Sequence, residues 1–127
     1  MRGLLDTSVF IADEQGRELS GDRLPDEAAI SVVTLAELEL GVHLAGSEAV
    51  RGARLRTLQS VRSTYVALPI DDAVASAFAE LVATARRLGR RARVQDTWIA
   101  ATARAHDVAV YTQDADFDAL EVAVVRV

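Results

Sequence analysis

The chain has 127 residues, half of them apolar and about a quarter charged, with a net charge of −5 and a pI near 5.0. This is the composition of a globular protein long enough to bury an ordinary core, and we expect one domain over residues 1–127. There is no cysteine and no lysine, since all 14 basic residues are arginine. Thiolate metal sites, disulfides, Schiff-base chemistry and a P-loop lysine are therefore excluded.

No apolar run approaches the roughly 18–20 residues that a membrane-spanning helix requires. The apolar stretch near the N-terminus is too short for a signal peptide and contains an early acid, Asp6. We therefore expect a cytoplasmic protein with no membrane partner.

The first half of the chain begins with a short apolar strand, residues 3–5, that ends at Asp6. An apolar helical segment at 9–12 follows, then a polar loop at 13–27 with room for a short helical turn, and a second strand at 28–33. A helix is predicted at 34–45, because Thr34 and Glu37 have the spacing of a capping box.

The second half alternates in the same way. Helical spacing predicts a helix from Glu48 to Ser63, followed by a strand at 65–70 and a helix at 73–88 that stops at Gly89. A further helix runs from Asp96 to about residue 106. A strand at 108–111, a short helix at 115–120 and a last strand at 122–127 complete the chain.

Alternation of strands and helices predicts an α/β fold with a parallel sheet covered by helices on both faces. In such sheets the ligand crevice lies outside the carboxyl ends of the strands. Four acids lie at candidate strand exits or helix starts, so we expect them to converge there: Asp6, Glu37, Asp96 and Asp114. A cluster of carboxylates without a base is a site for hard divalent cations such as Mg²⁺ or Mn²⁺.

Each acid also has a purely structural interpretation. Asp6, Glu37 and Asp96 could cap helices or favour a helix dipole, and Asp114 could be a turn residue. Asp116 competes with Asp114 for the fourth position, and the spacing does not decide between them. The hydroxyls beside the acids could orient a carboxylate or a bound water, namely Thr7, Ser8 and Thr112.

Five arginines fall within eight residues: Arg86, Arg87, Arg90, Arg91 and Arg93. They could be a solvated helix face. They could also form a basic rim that holds a polyanion beside the acids. His43 and His106 are isolated from each other, so a histidine metal site or a serine–histidine triad is not expected.

Four segments in order, LLDTSVFIA, TLAELELG, QDTWIAATA and YTQDADF, resemble a PIN-domain ribonuclease of the VapC toxin type. The resemblance extends over essentially the whole chain. It implies a Rossmann-like parallel sheet and an endoribonuclease dependent on Mg²⁺ or Mn²⁺, in which a metal-activated water hydrolyses RNA phosphodiester bonds. The acids of the family fall on Asp6, Glu37, Asp96 and Asp114, with Asp116 as an alternative.

The same resemblance implies a homodimer, a cognate VapB-like antitoxin that inhibits the active site, and products with 5′-phosphate and 3′-hydroxyl ends. Asp6, Asp96 and Asp114 or Asp116 would bind one or two metal ions, with Glu37 bound directly or through water. The alternative from another class is a catalytically silent PIN-like module that binds RNA or protein. A haloacid-dehalogenase-like phosphohydrolase is less consistent with the chain, because Ser8 stands where its second Asp would be.

Overall fold

The computed structural model describes all 127 residues and contains one five-stranded sheet. Every neighbouring pair of strands is parallel, and the order across the sheet is β3-β2-β1-β4-β5. All carboxyl ends therefore lie at one edge, with β1 in the centre. The strands are β1 (Arg2–Leu5), β2 (Glu27–Ser31), β3 (Ala67–Leu68), β4 (Ala109–Thr112) and β5 (Val124–Arg126).

Five α-helices and two short 3₁₀ turns connect the strands. None of these helices is long and apolar enough to cross a membrane. The helices are α1 (Thr7–Glu14), α2 (Val32–His43), α3 (Glu48–Thr64), α4 (Asp72–Arg87) and α5 (Val94–Ala105), and the 3₁₀ turns are Gly21–Arg23 and Ala115–Ala119.

Two separate cores show that helices cover both faces of the sheet. Successive side chains of a strand point to opposite faces, so Leu4 and Leu5 of β1 enter different cores. Leu4 packs with α4 and α5, while Leu5 packs with residues of α1, α2 and α3. The predicted α/β fold with a parallel sheet and helices on both faces is confirmed.

The capping box predicted at Thr34 and Glu37 is wrong. The strand ends earlier than expected, at Ser31, and α2 begins at Val32. The Ser31 hydroxyl accepts a hydrogen bond from the backbone N–H of Val33 at 3.1 Å and so caps the helix. Glu37 therefore lies in the second turn of α2, and its side chain is free for other contacts.

Other predicted boundaries shift by smaller amounts. The strand expected at 65–70 is only Ala67–Leu68, because Pro69 has no N–H with which to continue the ladder. Helix α5 begins at Val94, which places Asp96 in its first turn. Gly89 follows the end of α4 with a φ of 68°, the left-handed conformation that glycine adopts without strain.

Candidate functional site

Asp6 leaves the central strand at the carboxyl edge of the sheet and is the N-cap of α1. It is only 2 % exposed. One carboxylate oxygen, Oδ2, accepts hydrogen bonds from the Thr112 hydroxyl at 2.9 Å and the Ser8 backbone N–H at 3.3 Å. Burial raises the pKa of Asp6, and the hydrogen bonds from Ser8 and Thr112 partly oppose that rise.

The hydroxyls of Thr112 and Ser8 connect Asp6 to the neighbouring strand. Thr112 is the last residue of β4, and its Oγ1 lies 3.1 Å from Ser8 Oγ and accepts from the Asp114 N–H at 2.9 Å. Since the one hydroxyl proton of Thr112 goes to Asp6, Ser8 is the donor between the two hydroxyls. Ser8 Oγ in turn accepts from the Gln113 N–H at 3.0 Å. The orientation of Asp6 is therefore fixed by hydrogen bonds that cross between β1 and β4.

Glu37 approaches the same edge from α2. Thr7 donates from Oγ1 to Glu37 Oε1 at 2.7 Å, and Thr7 Oγ1 also lies 3.0 Å from Thr34 Oγ1. Burial raises the pKa of Glu37, the bond from Thr7 opposes this, and the charges of Asp6 and Asp96 raise it further. We call the three carboxylates Asp6, Glu37 and Asp96 the acid site.

Asp96 enters the acid site from the first turn of α5 and is 3 % exposed. Arg93 donates from Nε to Asp96 Oδ2 at 3.0 Å and from Nη2 to Asp116 Oδ2 at 3.2 Å. Burial raises the pKa of Asp96, Arg93 opposes it, and the charges of Asp6 and Asp116 raise it. The hydrogen bond to Asp96 raises the pKa of Arg93 in return.

Asp114 and Asp116 both lie beyond β4, near Arg93. Asp114 is half-buried, and its backbone N–H donates to the Thr112 hydroxyl. Asp116 is exposed, and its carboxylate accepts a hydrogen bond from Arg93. The charge of Asp116 acts on Asp96, whereas the charge of Asp114 acts on Arg93. Both charges therefore act on residues at the acid site, and the choice of a fourth metal ligand between them stays a prediction.

The donor set fits a hard divalent cation that keeps part of its water shell. No three acidic side chains stand close enough together to enclose a metal ion on their own. Mg²⁺ does not require this, because it is commonly bound through one or two carboxylates and several waters. The acid site offers only oxygen ligands, and the charge of Asp6 raises the pKa of both Glu37 and Asp96, so a cation bound there would relieve this repulsion.

The five arginines between positions 86 and 93, which we call the arginine segment, do not act as one group. All five are exposed. Arg87 bonds to the Thr84 hydroxyl at 3.0 Å and Arg93 bonds to the acids. The other three line an open groove of about 650 Å³ between α4 and α5, whose walls include Phe78 and Val94. Those three are Arg86, Arg90 and Arg91.

Sequence reasoning missed two contacts. The pairing of Arg93 with Asp96 is not predicted when Arg93 is taken as part of an arginine run, although a spacing of three residues on a helix is a known signal for an ion pair. The contact of Thr34 with Thr7 was hidden by the false capping box. His43 and His106, expected to take no part, are exposed at the ends of α2 and α5.

Comparison with known proteins gives a consistent result. The PIN domain family matches residues 3–123. Ribonuclease VapC5 of Mycobacterium tuberculosis is 49% identical over 119 residues, which are 94% of this chain and 87% of that protein. Ribonuclease VapC4 of the same organism is 45% identical over 120 residues, covering 94% of this chain and 91% of that protein.

A solved structure agrees equally well. The crystal structure of VapBC-5 from Mycobacterium tuberculosis, a member of the VapBC family of toxin–antitoxin systems, superposes with a TM-score of 0.92 at 45% identity. The match covers 99% of this chain and 98% of that one. The strand order and helix positions are therefore those of a known family.

Proposed function

The chain belongs to the PIN-domain family, and we propose that it is a VapC-type toxin: an endoribonuclease that depends on Mg²⁺ or Mn²⁺ and hydrolyses RNA phosphodiester bonds. The observation that carries the proposal is the convergence of Asp6, Glu37 and Asp96 at the carboxyl edge of the sheet. Carboxylates whose pKa values are raised by burial, and for Glu37 and Asp96 also by the charge of Asp6, are costly to keep, and a cation-dependent reaction is a use that accounts for them. The names of the relatives, ribonucleases VapC5 and VapC4, support the same activity.

The residues that would hold the cation are Asp6 and Asp96, with Glu37 direct or through water and with Asp114 or Asp116 at the rim. A bound divalent cation would supply Lewis-acid stabilisation of the phosphate and a water of lowered pKa. Thr112 and Ser8 keep the Asp6 carboxylate in one orientation, and Thr7 does the same for Glu37. The chain has no cysteine and no lysine, and this chemistry requires neither.

RNA would be positioned by the arginine segment. Arg86, Arg90 and Arg91 are exposed around the groove, close along the chain to Arg93 at the acid site. Contacts from guanidinium groups to phosphates place the backbone and carry little sequence information. We expect cleavage to leave 5′-phosphate and 3′-hydroxyl ends.

The proposed partners are a second copy of the chain and a cognate VapB-like antitoxin that inhibits the acid site. The support is the likeness to VapBC-5, which is described as a member of a family of toxin–antitoxin systems. Co-expression with a cognate VapB-like antitoxin should give a stable complex in which RNA cleavage is suppressed.

The test is cleavage of a defined single-stranded RNA by the purified protein with Mg²⁺ and with EDTA. Asp6→Asn and Asp96→Asn should each lower the Mg²⁺-dependent rate by about 10³-fold or more, because several kcal/mol of metal catalysis depend on them. The control is Asp13→Asn, which removes the same charge from an exposed position on α1 and should cleave normally. Cleavage by Asp6→Asn at the wild-type rate would contradict the proposal and favour the silent binding module.

A further inference from the structure

Arg93 differs from the other ion-paired arginines because one of its carboxylate partners is buried. Three ion pairs made by other arginines join Glu39, Glu80 and Asp118, whose side chains are 51–64% exposed. Arg93 instead bonds Asp96, whose side chain is 4% exposed and lies within the acid site. It bonds Asp116 at the rim at the same time.

The backbone of Arg93 is anchored, whereas its side chain is accessible. The Arg93 carbonyl accepts from the Thr97 N–H at 3.0 Å and from the Thr97 hydroxyl at 2.8 Å. The side chain is 64% exposed and makes no capping bond to α5. The guanidinium can therefore leave the acids by side-chain rotation alone, without any change in the helix start.

The contact places a positive charge on the oxygens that a divalent cation would use. Arg93 holds Oδ2 of Asp96 and Oδ2 of Asp116. Binding of a divalent cation at the same carboxylates is opposed in two ways. The oxygen lone pairs are already used by Arg93, and the guanidinium repels the cation directly. Arg93 and the cation are thus competitors, even though each alone relieves the repulsion among the acids.

We propose that Arg93 is an exchangeable counter-ion of the acid site, bonded to Asp96 and Asp116 until a divalent cation takes these carboxylates and then free to hold an RNA phosphate. The second half of this statement rests on the proposed function, but the exchange itself does not. The competing explanation is that Arg93 only positions Asp96. The two explanations differ in sign, because a competitor weakens cation binding and a positioning residue strengthens it.

The decisive measurement is calorimetric titration of the EDTA-treated, dialysed full chain with Mn²⁺ alone, without RNA. Removal of a competitor should tighten binding, so Arg93→Ala should bind Mn²⁺ about fivefold or more tightly than wild type. Arg93→Lys, which keeps the charge, should return most of the way to the wild-type affinity. The matched control is Arg91→Ala, which removes an equal charge from the same segment and should tighten binding less than twofold, since Arg91 bonds no carboxylate of the acid site.

Weaker or equal Mn²⁺ binding by a folded Arg93→Ala protein, with wild-type thermal unfolding, would overturn the exchange and leave the positioning role. Absence of Mn²⁺ binding by both proteins would overturn it as well. If Arg93→Ala binds Mn²⁺ more tightly but the wild type cleaves no RNA, the exchange stands and the proposed function fails.

A second arm tests the released guanidinium. Single-stranded RNA binding should be compared in EDTA and in saturating Ca²⁺, a hard cation that takes oxygen ligands. Arg93→Ala should weaken RNA binding in Ca²⁺ by about fivefold and in EDTA by much less, because there the wild-type guanidinium is held by the acids. An equal loss in both conditions would show that Arg93 contacts RNA without exchange and would overturn the proposal.

Discussion

Asp6 and Asp96 are at most 3% exposed, and each accepts a hydrogen bond from a neighbouring side chain, Thr112 or Arg93. By contrast, Arg86, Arg90 and Arg91 are exposed around an open groove. The two regions are joined by a few residues of backbone and meet at Arg93. The members of the acid site come from the residue after β1, from α2 and from α5, so its geometry depends on the whole fold. The arginine segment comes from one stretch of chain and depends on the fold much less.

This difference matches the size and shape of what each region would bind. A small ion requires ligands already in place, since interactions are stronger in a buried site where the ligands need not reorganise. A flexible polyanion such as RNA is bound well by long, mobile side chains, because many weak contacts add up to a high affinity while each contact can adjust its position. Substitutions should therefore act steeply and locally in the acid site, and gradually in the arginine segment.

Thr112→Val tests whether the acid site depends on its hydroxyl supports. Valine has nearly the same shape but cannot donate to Asp6 Oδ2 or accept from the Asp114 N–H. Loss of a group that orients a metal ligand commonly costs 10–100-fold, so Mn²⁺ affinity and cleavage rate should fall by about that factor. The measurements are Mn²⁺ titration and initial cleavage rates.

The control for this prediction is Thr64→Val, an exposed threonine at the end of α3, which should change neither quantity. Unchanged Mn²⁺ affinity in a folded Thr112→Val protein would mean that Asp6 is oriented by α1 alone. The acid site would then be no more preorganised than the arginine segment, and the comparison would fail.

The positions of the acids at strand exits could be predicted from sequence because they follow from rules of local pattern. Short apolar runs that end in Asp6 and before Asp114, alternating with helices, are enough to place these residues at one edge of a parallel sheet. The same reasoning placed Ser8 and Thr112 beside the acids, and the structure brings their hydroxyls into contact and bonds Thr112 to Asp6. These predictions depend on the direction of the strands and on the alternation of strands and helices, and both can be read from the apolar pattern of the sequence.

The remaining features depend on which of two similar residues takes a given role. Thr34 has the capping-box spacing, but Ser31 is the actual cap, because the backbone turns into the helix three residues earlier than the apolar pattern suggests. Asp114 caps the 3₁₀ turn Ala115–Ala119 and Asp116 lies within it, so the directions of both side chains depend on the dihedral angles of that turn. Sequence spacing cannot supply such angles.

Replacing Arg86, Arg90 and Arg91 together by alanine tests the other region. If each neutralises one phosphate, the slope of log affinity against log salt should become shallower by about 2, at roughly 0.7 per contact for a single strand. Between 50 and 200 mM salt the affinity of the variant should then fall about 20-fold less than that of the wild type. RNA binding by fluorescence anisotropy in Ca²⁺ at several salt concentrations measures this directly.

The matched control is the triple replacement of Arg51, Arg56 and Arg62, which removes the same charge from α3 and should leave the slope almost unchanged. Mn²⁺ affinity should change much less in the groove variant than in Thr112→Val, since none of the three arginines bonds the acid site. An unaltered salt slope would show that these arginines do not contact RNA phosphates and only form a solvated surface.

The smallest predicted effect is a pH dependence that only the acid site can produce. Burial raises the pKa of Asp6, Glu37 and Asp96 in the folded chain above their values in the unfolded chain, which lie near 4. Raised acids contribute stability at low pH that is lost as the pH rises through the folded pKa values. Arginines stay protonated throughout this range and contribute nothing to the dependence.

Thermal unfolding in EDTA between about pH 4 and pH 7 should therefore show Asp6→Asn gaining stability relative to wild type as the pH rises. The exposed pair of Asp26 with the N-terminal amine lowers the pKa of Asp26 and acts in the opposite sense, but it is the same in both proteins and cancels in their difference. Saturating Mn²⁺ should reverse the trend, because cations bind the ionised carboxylates and stabilise the wild type increasingly with pH. A difference between the two proteins that does not vary with pH would mean that Asp6 titrates as an ordinary surface acid, and the contrast between a buried acid site and an exposed arginine segment would lose its electrostatic basis.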